Sequence, residues 1–364
     1  MDQIRFAVVG SGWRSLFFWR IARACPKYFE MTAMLCRSEE KAEKMRREYG
    51  VRAVTSEEEV RKDDPEFIVV AVNKTSICEV SIHWMEMGYP VLCETPAALT
   101  LEELYRLWQM HVEHDAKLQV AEQYFLYPSF AAGIAAVERG YLKTPYVIDI
   151  SAAHDYHAAS LIRRYLSIGM EKMTVSGRRY CFPVEETDSR YGSVTDGSVK
   201  MRERVRITFD FESGKSAFYD FDGVQYHSFI RGRHLRVQGE CGELDDDLLR
   251  WVDDAHQIHE ARMETEWAPD GSGIRCVRLN GEILYENPFW KLGEKRLLSQ
   301  DETAIGTMLL GMREYIRHGR EVYPLTEALQ DAYIRILMSE ALDQTDAAGD
   351  DILPVVYAKL QPWN

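Results

Sequence analysis

The sequence predicts an α/β chain in two parts: an N-terminal doubly wound parallel sheet, then an α+β part with an open, mostly antiparallel sheet. Three patterns carry that reading. The apolar run Ile4-Arg5-Phe6-Ala7-Val8-Val9 ends in Gly10-Ser11-Gly12 and opens a helix. Short apolar runs then alternate with helix-length segments as far as Glu122, the βαβα order of a parallel sheet. Beyond residue 199 the pattern becomes period-two runs separated by glycine turns, which suits antiparallel strands. The division is placed at residues 1–122 and 123–364.

The first strand, Ile4–Val9, and the helix Leu16–Ala24 flank Gly10-Ser11-Gly12-Trp13-Arg14-Ser15. A buried strand, a glycine turn and a helix form the context in which a Gly-x-Gly run binds a dinucleotide. Gly10 permits the tight turn. Gly12 lets the backbone approach a pyrophosphate seated on the positive helix N-terminus. Ser15 stands where the Rossmann fingerprint has its third glycine, so the helix is expected to pack slightly further from the strand.

The second strand, Met31–Leu35, ends at Cys36-Arg37-Ser38. NAD-preferring sheets place an acidic residue near this point to hold the ribose diol. Arg37 and Ser38 instead offer a guanidinium and a hydroxyl, which suit a 2′-phosphate, and Arg14 is expected to reinforce that positive pocket. NADP(H) is therefore the favoured cofactor, with NAD(H) as the alternative.

Glu39–Tyr49 reads as a charged helix stopped by Gly50. Phe67–Val72 is the next buried strand. In the loop after it, Val72-Asn73-Lys74-Thr75-Ser76, Lys74 reads as an exposed loop lysine. The helix Ile77–Met87 ends at Gly88, as a C-cap should. Pro90–Glu94 is a strand, and Thr95-Pro96 opens the loop at its C-terminal end, where open α/β sheets place ligands. The helix Leu99–His114 and the strand Leu118–Glu122 complete this part.

The second part begins with a helix, Ser129–Gly140, and a strand, Tyr146–Ser151. Arg204–Phe211, Ser216–Asp220 and His234–Gly239 alternate as strands, and helices near Glu302–Arg317 and Thr326–Gln344 close the chain. Asp245–Gly273 is the least regular stretch and reads as a charged surface loop with a short helix. His256 and His259, three apart, would share a face of such a helix. No third ligand follows, so no metal site is expected.

Bulk properties narrow the partners. At 364 residues the chain suggests two domains, and 46% hydrophobic with 28% charged residues is an ordinary globular composition. A net charge of −14 repels phosphate backbones and anionic lipid, so neither nucleic acid nor membrane is an expected partner. No apolar run approaches the roughly 20 residues of a membrane span. The start, Met1-Asp2-Gln3-Ile4-Arg5, runs directly into a strand and lacks the pattern of a signal peptide. Seven scattered cysteines with no Cys-x-x-Cys pair fit a reducing cytoplasm and neither a disulfide framework nor a zinc site.

The glycine motif, the run Cys93-Glu94-Thr95-Pro96 and the run Glu122-Gln123-Tyr124-Phe125-Leu126-Tyr127-Pro128 together resemble the Gfo/Idh/MocA oxidoreductases, the family of glucose–fructose oxidoreductase and inositol dehydrogenase. Arg236–Leu244 is similar to a late hairpin of that family. The family's usual forms are Glu-Lys-Pro, Glu-Asn-Tyr-Arg-Phe-x-Pro and, over the cofactor, Thr-Pro-Asn-x-x-His. Here Thr95 replaces the lysine, Phe125 the arginine and Ile77 the histidine. The resemblance implies a Rossmann domain that holds its cofactor through Gly10, Ser11, Gly12, Trp13, Arg14, Ser15, Arg37, Ser38, Val72, Asn73, Thr75, Glu94, Thr95 and Gln123. It also implies a homo-oligomer, dimer or tetramer, formed through the C-terminal sheet.

The family's usual Asp-x-Gly-x-His-x-x-Asp is similar to Ala153-His154-Asp155-Tyr156-His157-Ala158-Ala159-Ser160. Aligning the histidine gives His157, with Ala153, Asp155 and Ser160 in place of the first aspartate, the glycine and the last aspartate. The segment that usually precedes it is missing, so strand and helix are nearly fused and this wall of the pocket departs from the family's. In relatives the lysine and this histidine share the transfer of the hydroxyl proton that must accompany hydride transfer. Thr95 can only hydrogen-bond, whereas histidine titrates near ~6.5 and can shuttle a proton unaided. His157 is therefore expected to be the general acid/base, with Asp155 or His154 orienting it. Tyr156 and Tyr124 are candidates to hydrogen-bond a sugar hydroxyl, and substrate contact is expected at Thr95, Tyr124, His154 and His157. The structural alternative is that His157 caps the helix or satisfies a buried carbonyl.

Two functions follow from different classes. The first is an NAD(P)-dependent oxidoreductase acting on a secondary alcohol or ketone of a sugar, cyclitol or glycoside, the substrate class being implied by the resemblance alone. Transient oxidation with the cofactor recycled is a variant of it. The second is a catalytically altered or inactive nucleotide- and sugar-binding protein, a sensor, which the replacements Thr95, Ala153, Ile77 and Phe125 favour.

Overall fold

Six short strands build the N-terminal sheet of the computed structural model, which describes residues 3–189, 192–349 and 353–363. Met1 and Asp2, read above as leading into the first strand, lie outside that range. The strands are β1 (Ile4–Val9), β2 (Phe29–Leu35), β3 (Ala53–Val54), β4 (Phe67–Val70), β5 (Val91–Cys93) and β6 (Leu118–Val120). They pair in the order β3-β2-β1-β4-β5-β6, all parallel. Phe6, Val8, Phe67, Val69 and Leu92 are fully buried, as helices on both faces require. Strand order reverses between β1 and β4, and the carboxyl ends of these two strands frame the crevice where such sheets hold ligands.

The helices are α1 (Ser15–Ala24), α2 (Glu39–Tyr49), α3 (Glu57–Lys62), α4 (Ile77–Glu86) and α5 (Leu101–His114). Their ends follow the sequence closely. Ser38 caps α2 by accepting from the Lys41 N–H, and Gly50 ends it at φ 65°. Thr100 and Glu103 form a capping box at the start of α5. By contrast, α1 has no side-chain cap and no acidic residue in its first turn.

The second part runs through α6 (Pro128–Glu138), β7 (Pro145–Ser151), α7 (Asp155–Leu166), β8 (Met173–Glu185), β9 (Asp188–Ser189), β10 (Gly192–Ser193), β11 (Val199–Phe211) and β12 (Ser216–Phe221). It continues with β13 (His234–Gly239), β14 (Gly242–Asp245), β15 (Leu248–Val252), β16 (Ile258–Arg262), β17 (Glu264–Trp267), β18 (Ile274–Leu279) and β19 (Glu282–Glu286). Last come α8 (Pro288–Lys291), α9 (Gln300–His318), α10 (Leu325–Ala348) and β20 (Val356–Tyr357). Nine strands form one sheet, β16-β15-β14-β13-β7-β12-β11-β8-β20, in which the β12–β7 pair is parallel and the other pairs are antiparallel. Helices α7 and α10 cover the face that carries Ile150, Val175, Phe209 and Tyr219. The segment β17-β18-β19 makes a separate small sheet beside α6.

Helix α9 returns to the first part, where Arg20 meets Glu302 at 2.7 Å and Arg313 meets Glu66 at 2.7 Å. Among the described residues no helix is long and apolar enough to cross a membrane.

Two sequence readings need correction. Asp245–Gly273 is not a loop with a short helix but supplies β15, β16 and β17. Its charges lie at exposed positions of β15 and of the edge strand β16, with Arg250 paired to Glu260 and Arg262 to Asp247, so the charge density hides the period-two pattern. His256 and His259 therefore share no helix face. His259 lies on β16, hydrogen-bonds Asp253 at 2.8 Å and stacks on Trp251, while His256 sits in a turn at φ 59°. The long hairpin β8–β11 also went unread on its first strand, where Gly177 and Pro183 interrupt the alternation. Gly177 is needed there, because a Cβ would lie 2.8 Å from Ile207 Cγ1 on the paired strand.

Candidate active site

The crevice at the carboxyl ends of β1 and β4 is built around the glycine loop. Gly10 has φ 119°, and a Cβ on it would lie 2.3 Å from the Ala71 carbonyl oxygen. Nothing comes within 4 Å of the corresponding position on Gly12. Ser15 is fully buried, and its hydroxyl donates to the Ala71 carbonyl at 3.3 Å. Its side chain thus ties α1 to the end of β4 and does not face a cofactor. Ser11 hydrogen-bonds Cys36, whose thiol burial pushes up. Trp13 is 56% exposed at the rim, edge-on to Phe17.

Arg14 does not join a 2′-phosphate pocket. Its Nε donates to Glu94 Oε1 at 2.7 Å, and its guanidinium also approaches Asp301 at 3.8 Å. The physical reason is Glu94, a buried carboxyl at the end of β5. Burial pushes its proton affinity up, and the Arg14 charge opposes that. Ser38 is likewise committed, as the cap of α2. Arg37 is exposed and, among the described residues, has no side-chain partner. Across the crevice, Asn73 Oδ1 accepts from the Thr75 N–H at 3.1 Å and hydroxyl at 3.3 Å, an Asx-type turn in an exposed loop after half-buried Val72.

These residues fit a dinucleotide. The first turn of α1 is free of side-chain caps, the approach to Gly12 is open, and Gln123 Oε1 is buried with no hydrogen-bond partner. The last is an unmatched acceptor at the end of β6, on the side of the sheet where ligands bind.

A second cluster of side chains lies where the start of α7 meets the residues that follow β6. His157 Nδ1 stands 2.5 Å from Glu122 Oε2, with both residues buried. The second Glu122 oxygen accepts from the Tyr124 N–H at 2.9 Å. A carboxyl oxygen at that distance calls for a proton on Nδ1, which leaves Nε2 as the acceptor. The Tyr124 ring covers the imidazole at 4.3 Å. Thr95 is half-buried beside them, its N–H directed at Glu94 Oε2 at 3.4 Å, and the Thr95–Pro96 peptide is cis.

His154 occupies the mouth of the cluster. Its ring is edge-on to His157 at 4.7 Å, and its Nδ1 lies 2.7 Å from the Tyr226 hydroxyl, which is 3.2 Å from that of Tyr124. The side chain is 54% exposed, but the cleft walls and neighbouring His157 push the imidazole down to about 4. Burial pushes the Tyr124 and Tyr226 phenols up, so both stay protonated and can donate.

Two expected roles are not met. Asp155 does not orient His157: its carboxyl accepts from the N–H of the next residue, Tyr156, at 2.7 Å and approaches Arg335 at 3.4 Å. His154 makes ring contact only. The carboxyl that meets His157 Nδ1 is that of Glu122, which the sequence places at the end of a strand, at the domain boundary and at the head of the Glu122–Pro128 run without pointing to this contact. Tyr156 points into the core, where its hydroxyl meets that of Tyr323 at 3.3 Å and burial drives its phenol well above the ordinary range. It cannot reach a substrate. Tyr226, the partner of His154, lies in a short turn that nothing in the sequence singles out.

Next to this cluster opens a cleft of about 800 Å³, lined among others by Tyr124, Tyr127, Phe130, Tyr226, Arg233 and Asp301. The Tyr124 and Tyr127 rings stack at 4.8 Å, and Tyr127 continues to Phe130 at 6.3 Å, an aromatic face of the kind that receives sugar rings. Among the described residues no group of three or more His, Cys, Asp or Glu side chains could hold a metal ion.

Comparison with known proteins agrees with this geometry. Residues 4–122 match the Gfo/Idh/MocA model, described as an oxidoreductase family with an NAD-binding Rossmann fold. No curated protein matches the sequence significantly. Similar solved structures include an NAD binding oxidoreductase from Klebsiella pneumoniae, 14% identical over 94% of this chain and 98% of that one, with a TM-score of 0.66. Another is apo scyllo-inositol dehydrogenase from Lactobacillus casei, 13% identical over 98% of each chain, TM-score 0.64. A third is an oxidoreductase from Agrobacterium radiobacter in complex with NAD⁺, L-tartaric acid and magnesium, 14% identical over 98% of each chain, TM-score 0.66. At these identities the likeness establishes a shared fold across both parts of the chain. The match over residues 4–122 gives this part of the chain the NAD-binding Rossmann fold of the Gfo/Idh/MocA oxidoreductases.

Proposed function

We propose that the protein is an NAD(P)-dependent oxidoreductase that oxidises a secondary alcohol, or reduces the matching ketone, of a sugar, cyclitol or glycoside, with the His157–Glu122 pair as acid/base. The buried 2.5 Å contact between these two side chains carries the reading. It gives His157 the partner that a lone general base requires once the family lysine is replaced by Thr95.

The nicotinamide, when bound, supplies the hydride acceptor or donor. The chain's own residues manage the proton and the substrate. His157 Nε2 takes the hydroxyl proton as the alcohol is oxidised, and returns it in the reverse direction. Glu122 holds Nδ1–H and stabilises the imidazolium that forms. Tyr124, protonated, shields the imidazole from water and donates toward a substrate oxygen. His154, neutral at physiological pH and anchored by Tyr226, offers a second hydrogen bond at the mouth.

Exposed Arg37 supports a preference for NADP(H), now without help from Arg14 or Ser38. The outer face of the nine-stranded sheet exposes Tyr180, Phe182 and Phe218, which supports assembly with a second copy of this chain. The experiment that tests the reading is a fluorescence titration of cofactor-stripped protein with NADPH and NADH, followed by a polyol oxidation screen of wild type and His157→Asn. Nucleotide binding with turnover lost in the variant is expected. Turnover retained by His157→Asn removes the proposed acid/base, and failure to bind either nucleotide removes the oxidoreductase.

A further inference from the structure

The charged side chains of the substrate cleft differ in whether they already have partners. Asp246 Oδ1 accepts from the Leu235 N–H at 2.8 Å, Asp247 is paired with Arg262, and Asp301 accepts from the Tyr127 hydroxyl and faces Arg14. Each acid is thus engaged by a donor of the protein itself. Arg233 is the exception. Its guanidinium lies 5.7 Å from the centre of the Tyr226 ring, lines the cleft, and has no carboxylate partner among the described residues.

The location of Arg233 matters as much as its freedom. Tyr226 bonds His154 and Tyr124, so the guanidinium stands one ring away from the groups expected to hold the reacting alcohol. The ammonium of Lys74, in the exposed loop after β4, opposes protonation of His154. The aromatic face of Tyr124, Tyr127 and Phe130 lines the same cleft as Arg233. A planar fork with five N–H donors at the edge of an aromatic platform binds an oxyanion with two parallel hydrogen bonds. In a chain of net charge −14, a cleft guanidinium with no carboxylate partner among the described residues is the more notable.

We propose that the substrate carries an anionic group, a carboxylate or a phosphate, on its sugar or cyclitol ring, and that Arg233 holds that group, with Lys74 assisting, while the ring lies on the Tyr124–Tyr127–Phe130 face. This rests on the oxidoreductase reading above and names the substrate class for it. The two anions share the recognition chemistry and differ in charge and reach, which experiment separates.

The test is calorimetric titration of the nucleotide-loaded protein with D-glucose, D-glucuronate and D-glucose 6-phosphate. At least one anionic sugar is expected to bind roughly tenfold tighter than glucose, the scale of one charge-assisted contact, and the preference shrinks at high salt. The tighter of the two anions identifies a sugar acid or a sugar phosphate. Arg233→Gln is expected to erase the preference and Lys74→Gln to reduce it, with nucleotide affinity unchanged in both. Equal binding of neutral and anionic probes, binding of no anionic probe, or a preference that survives Arg233→Gln overturns the proposal while leaving the oxidoreductase reading intact. Failure of the protein to bind NADPH or NADH at all overturns both.

Discussion

Glu122 and His157 lie 35 residues apart in sequence and 2.5 Å apart in space, one just past the last strand of the parallel sheet and the other in the first turn of α7. The strand end fixes the carboxyl, whose other oxygen is held by the Tyr124 N–H. The helix brings the imidazole to it with Nε2 free. Glu122→Gln keeps the shape but removes the charge that stabilises an imidazolium. Its kcat is expected to fall by about a hundredfold or more, with nucleotide affinity unchanged. Steady-state kinetics together with a nucleotide titration checks this, and a Gln variant with unimpaired kcat would show the carboxyl to be structural.

The two glycines of the loop make a paired prediction. A Cβ on Gly10 meets the Ala71 carbonyl at 2.3 Å, and its φ of 119° is closed to other residues. Gly10→Ala is therefore expected to cost at least about 2 kcal/mol of stability. Gly12 has open space around it, so Gly12→Ala leaves stability unchanged and weakens nucleotide binding where the pyrophosphate approaches. Chemical denaturation and nucleotide titration of both variants separate the roles. Equal effects on both measurements would show that the loop acts as a unit.

What the sequence made legible follows the reach of its signals. The parallel sheet and its helices were readable because each is a local pattern: apolar runs, caps at Ser38 and Thr100, and stops at Gly50 and Gly88. The strands of residues 245–267 were not, because exposed edge strands carry charge on alternate positions and so resemble loops. In the site, His157 and Tyr124 were found through motifs. Glu122 was overlooked because its role exists only across a long loop closure. Arg14 was misplaced because the buried charge it neutralises, Glu94, lies 80 residues away. Tyr156 looked available because a tyrosine beside a histidine in sequence points elsewhere on a helix, here into the core at Tyr323.

Cofactor preference now rests on Arg37. A guanidinium with no side-chain partner among the described residues, at the end of β2, suits a 2′-phosphate, and an acid there would instead accept from the ribose diol. Arg37→Asp is expected to lower NADPH affinity by roughly tenfold or more and to raise that of NADH, since one charge-assisted contact is exchanged for repulsion. Parallel fluorescence titrations with the two nucleotides check it. An unchanged ratio would mean that Arg37 is only a solvated loop residue.

His154 makes stability depend on pH in a direction that can be worked out. Its imidazole is held down at about 4, against an ordinary value of 6.5. Between those values the unfolded chain binds more protons than the folded one, so stability rises with pH across that window. The contribution is fully present above 6.5 and is lost as pH falls toward 4, where the ring must become charged next to His157 and within reach of Lys74. His154→Asn keeps a hydrogen-bonding group opposite Tyr226 but cannot titrate. Its urea-denaturation midpoint is expected to fall less steeply than that of the wild type as pH is lowered through this window. Wild-type and variant curves that run parallel would show that His154 titrates normally, and that its neutrality contributes nothing to how the cleft receives a substrate.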